Sequence, residues 1–200
     1  MSSFVGHSLI ALTIGTASNH SKTVSLRRYR LLWLSWLTIV ALAPDLDYIL
    51  SFLHPSSHQG LRITHSLFAC QLLPILTLIF LRYTCKPDFW TSGRQVVLAG
   101  LSHIGLDLLV GVTALPLLWP LSNQVFKLPF GLLPSAGKLS LLNYYLYSNL
   151  AIELGALAPL CFCGYFLTSP QKITWKGWLT VSLLLLTSVR CLYWAYHLSR

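Results

Sequence analysis

Long apolar blocks, separated by short polar and basic stretches, run the length of this chain. In order they are Phe4 to Ala17, Leu31 to Leu53, Ser66 to Leu81, Val96 to Trp119, Leu141 to Leu167 and Leu179 to Leu198. A bilayer core about 30 Å thick needs about 20 helical residues to cross it. The pattern therefore predicts an all-α fold, a polytopic transmembrane bundle of five to six segments. The first block is the marginal one, being short and carrying Gly, Thr and Ser. Pro44 and two aspartates interrupt the second, and Pro74 lies in the third. A single integral-membrane domain over residues 1–200 is expected, with the chemistry-bearing part in 1–120 and apolar helices in 141–198.

Composition points the same way. The 200 residues are 54% apolar and 10% charged, against roughly 25% charged for a soluble domain. The net charge of +9 raises nucleic acid as a partner, but the basic residues fall in clusters between apolar blocks. Loops facing anionic lipid look like this, and no nucleic-acid-binding motif is present, so a bilayer and no nucleic acid is expected. Five cysteines without a CxxC pair give no disulfide framework and read as small buried hydrophobes. Met1-Ser2-Ser3-Phe4 has no basic region and no convincing cleavage site follows, so a removable signal peptide is not expected.

With six spans, the loops after the first, third and fifth hold Lys22, Arg27, Arg28, Arg30, Arg82, Lys86, Arg94, Lys172 and Lys176. The other side holds Arg62, Lys127, Lys138 and Arg200. The positive-inside rule puts the first group in the cytoplasm and both termini on the far side.

Acids are scarce, five in all, and three of them sit in apolar surroundings: Asp45 and Asp47 in Ala43-Pro44-Asp45-Leu46-Asp47-Tyr48, and Asp107 in Ser102-His103-Ile104-Gly105-Leu106-Asp107. An ionised carboxylate in a low-dielectric setting costs several kcal/mol unless a cation neutralises it. His7, His65 and His103 share those neighbourhoods, and the predicted topology brings all six groups to the non-cytoplasmic leaflet. His103 and Asp107 lie four apart on one helix face. Pro44 disfavours regular helix around Ala43 and lets both following carboxylates turn toward one cavity. Individually these features have plainer readings: an intramembrane His-Asp hydrogen bond, a helix cap after a proline kink, a boundary histidine with Thr64 or Ser66 as N-cap. Together, imidazole and carboxylate donors suit a divalent metal, zinc first, with manganese or iron as alternatives. The set can hold one ion, or two bridged by an aspartate.

The histidine near the N-terminus, the PDLDYI box, Thr64-His65-Ser66 after a Gly/Arg-containing turn, the SHIGLDLL box and Trp119-Pro120 resemble the membrane-bound metal-dependent hydrolases, inner-membrane proteins of which some are described as LexA-binding. The resemblance runs from His7 to about Pro120, and more loosely through the C-terminal part. Where that family reads His-Arg-Gly-x-Thr-His-Ser, this chain has His58-Gln59-Gly60-Leu61-Arg62-Ile63-Thr64-His65-Ser66, so its histidine, glycine and arginine are displaced relative to His65. The resemblance implies an inner-membrane, metal-site protein.

The expected function is a membrane-embedded metal-dependent hydrolase, in which water activated by the metal attacks a phosphoester or acyl bond of a lipid or lipid-linked substrate. His7, Asp45, Asp47, His65, His103 and Asp107 are the candidate ligands. Asp47 orients the water, and Arg62 stabilises the developing charge. The alternatives are a non-enzymatic metal transporter or sensor built on the same ligands, or a purely structural bundle. A dull reading of Arg62 is a loop arginine at the lipid headgroups. Glu153 and Arg190, lone ions in separate apolar blocks, are expected to pair, and Tyr144, Tyr145, Tyr147 and Trp119 to be interfacial anchors.

Overall fold

The structure is a computed structural model that describes residues 3–17, 27–47, 62–84, 89–135, 142–168 and 173–198. Among these residues it is all-helical. The helices are α1 (Phe4–Ala17), α2 (Arg27–Leu42), α3 (Leu67–Thr84), α4 (Phe89–Val110), α5 (Tyr144–Thr168) and α6 (Trp175–Tyr196). Two 3₁₀ turns, Ala43–Leu46 and Ile63–His65, follow α2 and precede α3. An isolated antiparallel bridge between Leu115 and Phe126 is the sole β-type pairing among the described residues.

Among the described residues, three helices are long and apolar enough to cross a membrane: α3, α5 over Tyr144–Leu167, and α6. Their outer faces expose Phe68, Ile75, Ile79 and Phe80 on α3 and Leu179, Leu183 and Leu186 on α6. Lipid is the solvent that such surfaces match. The shorter or more polar helices α1, α2 and α4 each bury one face against the others and leave Leu12, Leu31, Leu32, Ile39 and Leu98 exposed. α1 packs against α2, α4 and α5 and buries Gly6, His7, Ala11 and Gly15. Positions 7, 11 and 15 form one stripe of the helix, and its small residues allow close backbone approach where lipid gives no hydrophobic drive. Ala11, Leu37, Val40, Ala41, Val96 and Ala99 make the core between α1, α2 and α4.

Polar side chains stitch the helices together. Gln95 on α4 donates to the Ile14 and Gly15 carbonyls at the end of α1 (3.2 Å each) and accepts from Trp33 Nε1 on α2 at 2.7 Å. Trp36 Nε1 donates to Thr77 on α3. Gly100 lets α4 lie against α3, for a Cβ there would stand 2.8 Å from the Cys70 carbonyl and from Pro74 Cγ.

The structure shifts several sequence-derived boundaries. The fourth block is helical from Phe89, not Val96, and stops at Val110. There Gly111 turns the chain at φ +63°. Residues 111–135 fold back irregularly, donating from Leu132 and Leu133 to the Leu109 carbonyl and accepting from Leu67 N–H at Leu117. His103 and Asp107 thus lie near the end of a helix rather than in mid-span. In the second block the helix ends at Leu42, and Pro44 opens a 3₁₀ turn instead. Ser66, not Thr64, caps α3 by accepting Ala69 N–H at 3.1 Å. Glu153 and Arg190 do not pair: Glu153 is buried and accepts from Ser3 N–H, whereas Arg190 is exposed.

Candidate metal centre

Four chain segments deliver polar side chains to one buried spot. His7 comes from the first turns of α1, Asp45 from the 3₁₀ turn after α2, and His65 from the 3₁₀ turn before α3. His103 and Asp107 come from the last two turns of α4. Starts of two elements meeting ends of two others implies that successive helices run antiparallel. His7, His65, His103 and Asp107 are 0% exposed and Asp45 is 4%.

Asp107 faces all three imidazoles, with Oδ2 3.3 Å from His65 Nε2 and 3.6 Å from His103 Nε2, and Oδ1 3.6 Å from His7 Nε2. Asp45 Oδ1 lies 3.4 Å from His65 Nε2 and 3.9 Å from His103 Nε2, and Oδ2 is 3.9 Å from His7 Nε2. The His7 and His103 rings stack at 4.1 Å, while His65 meets His103 edge-on at 5.0 Å. Two groups of three donors result, His7–His103–Asp107 and Asp45–His65–His103, sharing His103.

These spacings can be compared with those of a hydrogen-bonded cluster and of a cation cage. Charge-assisted N–H···O⁻ bonds draw their atoms to about 2.7–2.9 Å. Two donors on one tetrahedral zinc, each about 2.0–2.1 Å from the ion, stand about 3.3–3.4 Å apart. The observed separations begin at the second value. His7 Nδ1 and Nε2, His65 Nε2, His103 Nε2 and Asp45 Oδ1 are buried without a hydrogen-bond partner. Each such atom costs about 1–3 kcal/mol, and a shared divalent cation removes that cost at several atoms at once. Donor chemistry and geometry both fit.

The remaining ring nitrogens are tied outward. His103 Nδ1 pairs with the Ala41 carbonyl at 2.8 Å, which requires a proton on Nδ1 and turns the Nε2 lone pair inward. His65 Nδ1 pairs with Thr64 Oγ1 at 2.9 Å, and Thr64 donates to Asp47 Oδ2 at 3.2 Å. With the hydroxyl proton directed at Asp47, Thr64 accepts from His65 Nδ1–H, which again leaves Nε2 as an inward donor atom. This outward anchoring is how metal-ligating histidines are oriented.

Asp47, expected among the ligands, stands outside both donor groups. Its carboxylate takes a bidentate pair from Arg62, Nε to Oδ2 at 2.8 Å and Nη2 to Oδ1 at 2.7 Å. The Arg62 and Asp47 side chains are 16% and 15% exposed, and Arg62 Nη2 lies 3.9 Å from Asp45 Oδ1. Together they form the rim over the buried donors. His58 and His54 lie outside the described residues.

Sequence reasoning missed the outward anchors and the fold-back of residues 111–135. Thr64 was open to notice, as a hydroxyl beside a histidine. The Ala41 carbonyl had no signal at all, since any residue offers one. Nor did Leu115, fully buried against Cys70 and Ile104 in a segment that reads as part of a span. No curated protein and no solved structure matches this chain. The family model for the YdjM inner membrane protein matches residues 1–196, and with half a dozen helices around a buried His/Asp cluster, the chain belongs to that family of inner membrane proteins.

Proposed function

We propose that the chain is a single-domain integral-membrane hydrolase that depends on a divalent metal, zinc first and manganese or iron next. Its bundle spans the bilayer five to six times and keeps its site on the non-cytoplasmic side. The observation that carries the reading is the set of buried, inward-facing nitrogen and oxygen atoms at cation-sharing distances. His7, Asp45, His65, His103 and Asp107 hold the metal. A divalent ion there supplies Lewis acidity and makes water a nucleophile near neutral pH.

Each rim residue has its own task. Arg62 faces, with its fixed positive charge, the negative charge that develops on a phosphoester or acyl group. Asp47 holds the guanidinium in place through its bidentate pair and, as the carboxylate at the rim, accepts the proton released by the attacking water. Thr64 carries the orientation of Asp47 to His65. Because the ligands sit deep in the bundle of an inner membrane protein, the substrate class that fits is a lipid or lipid-linked ester whose head group reaches the rim from the membrane plane.

One observation favours a second reading, a non-enzymatic metal-binding membrane protein: four of the five donors have no exposed surface. Elemental analysis of detergent-purified protein, followed by a screen of phospholipid and acyl-ester substrates, separates the two. Metal with turnover supports the hydrolase, metal without turnover the binding protein. A protein without metal, after controls for stripping, overturns both.

A further inference from the structure

His7 differs from the other two histidines of the cluster. His65 and His103 are each oriented through Nδ1, by Thr64 and by the Ala41 carbonyl. Neither ring nitrogen of His7 has a hydrogen-bond partner. Besides the approach of Nε2 to Asp107 and Asp45, the stack on His103 and the position of its own backbone fix where His7 points.

That backbone belongs to the opening turn of α1, built on Ser3. Ser3 Oγ accepts Gly6 N–H at 3.0 Å as an N-cap, and the Ser3 carbonyl accepts His7 N–H at 3.2 Å. Ser3 in turn is held from outside its helix. Its N–H points between the two carboxylate oxygens of Glu153, 3.1 Å from Oε1 and 3.2 Å from Oε2. Glu153 is 1% exposed and sits nine residues into α5, about 13 Å along its axis. A buried acid is the most expensive way to pack a helix pair in lipid, and a carboxylate beside a helix N-terminus is one of the few placements that offsets it.

We propose that Glu153 is a positioning residue for His7: by gripping Ser3 from α5 it sets the depth and rotation of the first turn of α1, and so aims the one imidazole of the cluster that has no hydrogen bond of its own. The geometry stands without a metal, and only its consequence for ligand binding rests on the metal-centre reading.

Carbethoxylation by diethyl pyrocarbonate, read residue by residue by peptide mass spectrometry on full-length protein in detergent, tests the positioning directly. In wild type, buried His7 is protected. In Glu153→Ala it reacts about tenfold faster or more, the factor corresponding to loss of one charge-assisted hydrogen bond, while His65 and His103 stay protected. Glu153→Gln, which keeps one acceptor oxygen, falls between, and carries the test if the alanine variant does not fold. Ser188→Ala removes a different buried hydrogen bond to α5, from α6 to the Ala156 carbonyl at 2.7 Å, and leaves His7 protected. Wild-type protection of His7 in folded Glu153 variants overturns the proposal, as does equal exposure of all three histidines or an equal effect of Ser188→Ala. Cobalt(II) titration, followed by visible absorption, reads the consequence: Glu153→Ala weakens binding and alters the spectrum as His7→Ala does. Failure of wild type to bind cobalt overturns the metal reading alone, because the carbethoxylation result still decides the role of Glu153.

Discussion

Replacing Asp107 by asparagine separates a metal ligand from a packing contact, because the two roles give stability changes of opposite sign. Asp107 is fully buried, with its oxygens 3.3–3.6 Å from three imidazole nitrogens. Asparagine preserves the shape and removes the charge. If Asp107 were a hydrogen-bonded packing group, Asp107→Asn would lose stability under every condition, by about 1–3 kcal/mol. If it is a ligand, the outcome depends on metal. Under chelator, wild type carries two carboxylates close together in one buried site, and relief of their repulsion offsets the loss of the charge in the variant, so the variant melts at or above wild type. Zinc at a hundred times its Kd stabilises wild type by about 2.7 kcal/mol. For a chain of this size that is about 5–10 °C in Tm. A variant whose affinity has dropped about a hundredfold gains only about 0.4 kcal/mol at the same zinc concentration, about 1 °C. The assay is thermal unfolding in detergent, with chelator and across a zinc series. A zinc-dependent shift in Asp107→Asn equal to that of wild type refutes the ligand assignment, as does a variant less stable than wild type under chelator.

Three further outcomes are expected. Arg62→Ala frees Asp47 from its bidentate pair, and turnover on a substrate found by screening drops about a hundredfold while zinc content stays near that of wild type. Arg62→Lys keeps the charge without the fork and recovers little, and a parallel loss of metal in either variant places Arg62 in the ligand set instead. Gly100→Ala drives a methyl against the Cys70 carbonyl and Pro74 at 2.8 Å, whereas Gly105→Ala meets nothing within 4 Å. The first lowers stability by about 1–3 kcal/mol and the second is neutral or stabilising by about 0.5–1 kcal/mol, measured by thermal unfolding, and equal melting points contradict the tight α3–α4 contact. Reporter fusions at Thr23 and Pro170 both give cytoplasmic signals, and non-cytoplasmic signals reverse the leaflet assigned to the site.

How far the centre was legible in the sequence depended on whether a residue's role conflicts with its surroundings. A carboxylate in an apolar run is such a conflict, so Asp45 and Asp107 stood out before any coordinates. The histidines followed because charge compensation demanded partners. Asp47 looked the same by that criterion, yet the structure gives it to Arg62 and Thr64. The criterion detects a need for compensation and not its source, and Arg62 lies fifteen residues away in a displaced box. Glu153 raised the same alarm and was matched to the wrong partner, Arg190, because sequence offers charged side chains as candidates and is silent about backbone N–H groups. Ser3 N–H, a donor that every non-proline residue has, became a partner through the docking of α1 on α5.

Helix number was legible and helix ends were not, for a related physical reason. Apolar blocks report what faces lipid or core, and they identified six helical regions. Hydrogen-bonded backbone continues past the apolar part, as in Phe89 to Gln95 before the fourth block, where Trp90 and Arg94 reach outward from a helix already formed. Conversely, apolar sequence past Val110 is not helix, because Gly111 adopts a positive φ and residues 112–135 pack as an irregular cover over the end of the bundle. That cover packs Leu115 on Cys70 and Ile104, and Leu133 on Leu106 and Val110 of the helix that supplies His103 and Asp107. With almost no exposed surface, the three imidazoles and two carboxylates have little access to water as an alternative partner, and a divalent ion would satisfy them together.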